Sequence, residues 1–467
     1  MEIGNLGEYH DLYLKTDVLL LADCFEQFRD MCMKHYKLDP CHFYTSPGLA
    51  WAAALKMTKC KLDLLTDPDM YLFFERGIRG GISVVSNKYA KANNEHTPNY
   101  NPKQPKSFIH YVDANNLYGW SMRKALPEKN FRWMTPDEIG KFDVSKISSS
   151  SRKGYALEVD LEYPHELHDE HNCYPLAPET MSIPNEDLSP YSKKLWIHQN
   201  KEGGVDDEQS IDGDRDVLSK RIVTPKLIPN LHDKKNYTMK SNFKRFSIFN
   251  EDLVGVEHKK INLKLNKPIY VGFTTLELSK TLLFRFHYLY MRQKYGDKAR
   301  LLFTDTDSLM YHIETEDLYK DMAESKDLFD LSNFAEDHFL HDKTNMTIPG
   351  YFKDETEGMA IFEFCGLRSK MYSFTYGENE KRTAKGISQN TVKKHLKHAH
   401  YKRCLFDGDI FMCGMHAIRS SNHELYVQRI NKSGLSAFDD KRWVRNDGIT
   451  TYAHGHYRAK DITVNIS

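Results

Sequence analysis

The sequence predicts an α+β protein built around an antiparallel sheet. Three stretches carry that expectation. Residues 8–36 place apolar side chains at helical spacing, and FIHYV (108–112) is an almost continuous apolar run ending on Asp113. LLFTDTDSLMYHIE (301–314) sets apolar runs on either side of a short polar tip, the pattern of a strand, a tight turn and a second strand.

In chain order, the first helix carries Leu14, Val18, Leu21, Phe25, Phe28 and Cys32 along one face, and GLAWAAALKM (48–57) continues helical. RGIRGGISVV then brings Gly77, Gly80 and Gly81, where a backbone turn or a close approach to a ligand is expected. The polar, Pro/Asn-rich run 88–106 reads as a linker. FIHYVDANNLYGWSM (108–122) reads as a buried strand ending at Asp113, and GYALEVDLEYP (154–164) alternates as another strand. SKISSSSRKG (145–154) and NKEGGVDDEQSIDGDRD (200–216) resemble solvated insertions. NLKLNKPIYVGF alternates again from 262 before a helix, TLELSKTLLFRFHYLYMRQKYG, that stops at Gly296 after basic residues. No fixed-period repeat occurs, which excludes solenoids and propellers.

Composition narrows the function classes. The 467 residues are enough for two or three domains with real cores, and a 12% aromatic share is globular in character. With 65 basic and 65 acidic side chains the chain is no indiscriminate polyanion binder, although a local basic groove is compatible with that balance. Eight scattered cysteines without a C-x-x-C pair point to a reduced, intracellular protein. MEIGNLGEYHD lacks the pattern of a signal peptide, and the apolar run Val18 to Ala22 is too short for a bilayer. A soluble intracellular protein with no membrane partner is expected, with nucleus and cytoplasm not distinguished. A chain opening on acidic, already patterned sequence is also expected to have lost an upstream domain.

Asp113, Asp305 and Asp307 all fall at strand ends. Hard oxygen ligands in such a group suit Mg²⁺, with Mn²⁺ as an alternative, completed by substrate phosphates. Two such ions activate an attacking oxygen and stabilise a leaving one, which is phosphoryl-transfer chemistry. Asp-Thr-Asp is equally compatible with a plain turn, since aspartate favours turns. Its pairing with Asp113 favours the metal reading.

YVDANNLYG resembles motif A of family B DNA polymerases, and FTDTDSL resembles motif C. The chain as a whole is similar to the protein-primed branch found in viruses, linear plasmids and self-synthesising transposons, as a truncated member. YLKTD (Tyr13 to Asp17) is similar to the third proofreading-exonuclease motif, and RGG (Arg79 to Gly81) lies where the exonuclease–polymerase linker motif belongs. YPLAPE (174–179), NFKRFSIFNEDLV (242–254) and KMY (Lys370 to Tyr372), which matches the K-x-Y motif, also resemble this branch.

The resemblance implies a right-hand polymerase fold with an antiparallel palm sheet, preceded by the C-terminal tail of a 3′–5′ exonuclease domain. The implied domains are exonuclease-like 1–87, linker 88–106, first palm half 107–260 with reduced fingers, second palm half 261–380, and thumb-like 381–467. Asp113 and Asp307 would ligate two Mg²⁺ ions, with Asp305 beside them. The backbone around Asn115, Asn116 and Leu117 would contact the triphosphate of a dNTP, and Tyr118 would stack under its sugar. Lys370, Tyr372, Arg79, Gly80 and Gly81 would contact primer-template DNA, and a terminal protein is a further implied partner.

Two departures separate fold from activity. Tyr13 and Asp17 stand without the acidic residues of the earlier exonuclease motifs, so their reading is structural. Motif B, a helix with a lysine and Asn-Ser-x-Tyr-Gly, is missing between Asp113 and Asp305. PNLHDKKNYTMKSNFKRFSIFNEDL (229–253) runs as if the fingers were cut out near Met239 or Lys240, leaving Lys234, Lys235, Lys240, Lys244 and Arg245 as positive charge. Residues 381–405 contain eight Lys/Arg and no acidic side chain, and Lys385, Lys393 and Lys394 there are candidate DNA-backbone contacts. His398, His400 and Cys404 lack a fourth ligand at zinc-finger spacing, and zinc is not expected there or at His454 and His456. The expectations are therefore a DNA-directed DNA polymerase, a catalytically dead remnant that binds DNA, or a metal-dependent phosphodiester hydrolase.

Overall fold

The computed structural model describes residues 3–148, 150–179, 183–201, 223–228, 237, 239–250, 253–259, 265–421 and 424–460. The chain forms two compact units. One comprises Met1–Pro68, Glu128–Ile147 and Asn266–Pro268; the other comprises Asp69–Pro127, Ser148–Leu265 and Ile269–Ser467.

The first unit is led by helix α1 (Leu6–Tyr36), which starts where the Asn5 side chain accepts the Glu8 amide at 2.9 Å and ends at Lys37 with φ 54°. Helix α2 (Ser46–Thr58) starts on a Thr45 cap with proline in its first turn. The unit meets α1 near its C-terminal end, where Arg29 Nη2 lies 2.7 Å from Asp39 and Lys56 Nζ donates to Lys37 O at 2.7 Å. The helical spacing was therefore correct, but the expected buried face is not buried. Only Cys32 of that face is enclosed, while Leu14, Val18, Leu21 and Phe25 are exposed.

The second unit is mixed α+β with antiparallel sheets. Helix α3 (Pro68–Gly77) leads into β1 (Ser83–Val85), β2 (Tyr89–Lys91) and β3 (Ser107–Ala114), and helix α4 (Leu117–Met122) follows β3. A separate three-stranded sheet contains β4 (Val223–Ile228), β5 (Phe243–Asn250) and β6 (Leu253–Lys259) in the order β4-β6-β5. The main sheet then gains β7 (Ala299–Asp305), β8 (Ser308–Glu314), β9 (Phe329–Asp330), β10 (Phe352–Asp354), β11 (Ile361–Arg368), β12 (Met371–Tyr376) and β13 (Asn379–Ala384). Its order is β1-β7-β8-β3-β11-β12-β13, with β10 pairing β3 and β9, and β2 pairing β11. A long hairpin, β14 (Phe411–Ser421) with β15 (Glu424–Leu435), follows.

Strand β3 is central and enclosed on both faces, which is why its sequence reads as a run and not as an alternation. Phe108, Val112 and Ala114 join Leu309, Tyr311 and Ile313 against Leu283, Phe286 and Met291. Ile109 and Tyr111 face the other way, with Phe303, Met310, Phe364 and Tyr372. Asp113 shares the Tyr111 face by the two-residue period of the strand.

Two expected strands are not seen among the described residues. Residues 154–164 alternate but have no strand structure, because no partner strand pairs with them. Of the stretch expected to alternate from 262, residues 262–264 lie outside the described residues, and from Ile269 it is already helix (Ile269–Arg285). That helix buries Tyr270 and sets Phe273 edge-on to Phe74 at 5.4 Å, so tertiary packing overrides the β-like composition. A π-helical segment (Phe286–Met291) and a last turn (Arg292–Tyr295) continue it to Gly296, the expected stop. Of the predicted insertion 200–216, residues 202–216 lie outside the described residues, as do Lys234 and Lys235.

This packing sets a stability contrast. Leu309→Ala, at a side chain with 0% exposure, should lower unfolding free energy by about 2–5 kcal/mol in urea titrations. Leu19→Ala, at 66% exposure on α1, should change it by less than about 0.5 kcal/mol.

Candidate active site

The β7–β8 hairpin closes on Asp305 and Ser308, leaving Thr306 and Asp307 at its tip. The Asp307 amide donates to Asp305 O at 2.8 Å, a three-residue turn centred on Thr306 at φ 68°. A β-branched residue in that region is strained, and such strain persists only where the surroundings over-determine it. Here they do. Thr306 N–H donates to Ile82 O at 2.8 Å, and Ala114 N–H donates to Asp307 O at 2.8 Å. Ser83 pairs with Asp305 across β1 and β7.

The second of these bonds ties the tip to β3. Asp113 stands opposite Ser308 in the β3–β8 register, so the carboxylates separated by almost two hundred residues become neighbours. Burial pushes the Asp113 carboxyl up to about 7, with the Asp307 and Glu355 charges adding to it. Burial raises Asp307 as well, and the Asp305 charge adds to that, against its own amide and Lys370. Asp305 differs: Lys370 Nζ lies 3.0 Å from its Oδ1. Lys370 itself occupies the left-handed region at φ 58°, on the turn between β11 and β12.

Glu355 is the site residue that the sequence did not reveal. It follows β10, its amide donates to Tyr111 O at 2.9 Å, and burial raises its carboxyl with help from Asp354 and Asp307, against Lys381 and Lys353. Nothing in the sequence signalled it, because its place depends on the strand pairing that sets Lys353, two residues before it, against Asp113. Among the described residues, no three His, Cys, Asp or Glu side chains are grouped to hold a metal ion between them. Asp113 and Asp307 remain as a pair of partly buried carboxylates, both raised by burial and Asp113 further by the Asp307 charge, a donor pair of the kind hard cations take.

The other candidates are placed as follows. Asn115 Nδ2 donates to Asp330 Oδ2 at 2.6 Å, so its side chain faces the protein interior. Asn116 adopts φ 40° and caps α4 by accepting the Gly119 amide at 3.1 Å. Leu117 is buried, whereas Tyr118 is 37% exposed. Arg79 and Gly80 are exposed, and Gly81 packs on the hairpin tip: a Cβ there would lie 2.5 Å from Thr306 Cγ2. The close approach at Gly81 is to Thr306 of the same chain and not, as expected, to a ligand.

Tyr372 is buried, stacked on Phe303 at 4.4 Å between ring centroids, and its ring belongs to the core. The Lys385 amide donates to Lys370 O at 3.1 Å, and the Lys385, Lys393 and Lys394 side chains are exposed. The basic run 381–405 is not uniformly available. Arg382 donates to Leu396 O at 2.7 Å, and Lys402 Nζ reaches Glu363 at 2.8 Å. His398 bridges Ser373 Oγ and Glu363 Oε2 at 3.0 and 3.1 Å. Tyr13 and Asp17 lie in the first unit, exposed on α1, where Tyr13 stacks on Tyr9. No family model matches the chain, and no curated protein matches it at a significant level. No helix among the described residues is long and apolar enough to cross a membrane.

Two predictions follow from these contacts. Gly81→Ala should destabilise by about 1–3 kcal/mol through its collision with Thr306, whereas Gly80→Ala, which meets nothing within 4 Å, should leave the melting temperature unchanged. Asp113 binds its proton more tightly in the folded state than at its ordinary 3.8, so its stabilising contribution is complete below about pH 4 and lost as pH rises through about 7. Asp113→Asn should therefore raise the melting temperature at pH 8 and lose that advantage by pH 4.

Proposed function

We propose that this chain is a polymerase palm of the family B, protein-primed type, which transfers a nucleotidyl group from a dNTP to a primer hydroxyl on a DNA template. The observation that carries the reading is the register that sets Asp113 beside the Asp305–Asp307 tip, where burial raises both the Asp113 and the Asp307 carboxyl and the Asp307 charge adds to the rise at Asp113. Asp113 and Asp307 would hold Mg²⁺, or Mn²⁺ in its place. Two such ions would supply activation of the attacking primer hydroxyl and stabilisation of the leaving pyrophosphate. Asp305, paired with Lys370, sets the charge beside them without being a free ligand.

The right-hand architecture of the family is part of the same proposal. The main sheet would be the palm, and the region after β13, with its β14–β15 hairpin, would be the thumb side. Tyr118, part exposed beyond the Asp113 strand end, is available to stack under a sugar. Lys370, with Lys385 beside it, and the exposed Lys393 and Lys394 would follow the DNA backbone, and Arg79, Gly80 and Gly81 approach from the β1 side. A protein hydroxyl could replace the primer hydroxyl, the role of a terminal protein.

A second reading, a remnant that binds DNA without adding nucleotides, draws on the segment where motif B is expected. There β5 and β6 form a sheet in which Arg245 pairs with Glu257 at 2.7 Å and Lys244 lies 3.8 Å from the same carboxylate. Of that stretch's cations among the described residues, Arg245 and Lys244 are thus engaged with Glu257, and Lys240 lies over the Tyr237 ring at 5.2 Å.

Primer extension with Mg²⁺ and labelled dNTP discriminates the readings. Extension that Asp307→Asn reduces by about 10²-fold or more supports the polymerase. Salt-sensitive DNA binding without extension supports the remnant, and metal-dependent cleavage lost in Asp307→Asn supports a hydrolase.

A further inference from the structure

The turn after Asp113 is clamped by residues more than two hundred positions further along the chain. Asp330 ends β9 with 0% exposure. Its Oδ2 accepts from Asn115 Nδ2 at 2.6 Å and from the Thr347 amide at 2.8 Å, and its Oδ1 accepts from the Ser332 amide at 3.0 Å. Burial alone would raise this carboxyl, yet donors from Ser332, Thr347 and Asn115 hold it below the ordinary value. A buried carboxylate that loses one such donor bears a large desolvation penalty, so each donor is held firmly.

The Asn115 backbone is gripped by the same segment. Its amide donates to Tyr351 O at 2.9 Å, and its carbonyl accepts the Gly350 amide at 2.8 Å. Gly350 sits at φ +91°, where a Cβ would come within 2.1 Å of Trp120 Cδ1 on α4. Side chain, amide and carbonyl of Asn115 are therefore all committed to residues 330–351. The neighbouring Asn116 is then held in the left-handed conformation that starts α4.

We infer that Asp330 is a positioning residue for the nucleotide site: through Asn115 it fixes the turn Asn115–Tyr118, where triphosphate and sugar would be received. The inference rests on the polymerase reading. It assigns Asn115 a scaffold role through its side chain and leaves ligand contact to the turn's backbone and to Tyr118. Positioning of this kind acts on substrate affinity when it supports ground state and transition state alike.

A double-mutant cycle in steady-state primer extension tests it. Asp330→Ala and Asn115→Ala should each raise KM for dNTP about tenfold with kcat within about twofold, and the double variant should match either single one. Asp330→Asn, nearly isosteric, provides the same readout if the alanine variant fails to fold, with an expected KM increase of about threefold or more. DNA affinity should be unchanged throughout. Multiplying KM effects in the double variant, or unchanged KM in both Asp330 variants, overturns the inference while leaving the polymerase reading intact. Absence of extension by the unaltered chain overturns the polymerase reading, and the inference with it.

Discussion

The candidate site depends on one pairing, the antiparallel register of β3 with β8 that sets Asp113 opposite Ser308. Side chains alternate with a period of two, so a slip of one residue would send Asp113 to the face occupied by Val112 and Ala114. Alternation cannot specify this register, because both faces of β3 are enclosed. The tip specifies it instead: Ala114 N–H reaches Asp307 O, and Thr306 is bound to Ile82 on the other side. Strain at Thr306 and exactness of the carboxylates thus have the same cause, a hairpin tip held from both flanks.

Charge at the tip is divided unevenly. Asp305 has the Lys370 ammonium, while Asp113, Asp307 and Glu355 are each raised by partial burial, with the Asp307 charge adding at Asp113 and Glu355 and the Glu355 charge adding at Asp113. Such a cluster destabilises its own ionised state at neutral pH, which a fold tolerates when the large apolar faces of the same strands supply the stability. The imbalance also gives the site a direction. A cation entering it gains most at the Asp113 and Asp307 side, since the Asp305 side is already neutralised.

Much of this was legible in the sequence, for identifiable reasons. The hairpin, the buried strand ending at Asp113 and the helical stretches read at 8–36 and 48–57 rest on local patterns, and these are found as strand, hairpin and helix. The alternation at 154–164 failed because strand structure needs a partner, and periodicity does not report one. The helical spacing of α1 was right, but whether a neighbour covers Leu14 or Leu21 is a tertiary property. Within the site, Asp113, Asp305 and Asp307 were readable because they sit at ends of recognisable elements. Glu355 and Asp330 were not, since each reaches the site through a strand pairing or a side-chain bond across the fold. Lys370 was noticed for DNA, yet its nearest charge is Asp305.

The division between what the tip holds and what the turn receives bears on how a nucleotide could be placed without motif B. A triphosphate held only by metal ions is free to rotate about them, and reaction requires the sugar and base to be fixed as well. In this chain Arg245 and Lys244 face Glu257, so that stretch offers less free positive charge than its composition implies. The rigid elements next to Asp113 are the turn Asn115–Tyr118 below and the Thr306 tip beside it. Both are fixed by bonds to distant segments, the turn by residues 330–351 and the tip by Ile82. On the polymerase reading, placement of a sugar would then depend on how stiffly that turn presents Tyr118, and so on the buried Asp330 carboxylate that holds Asn115.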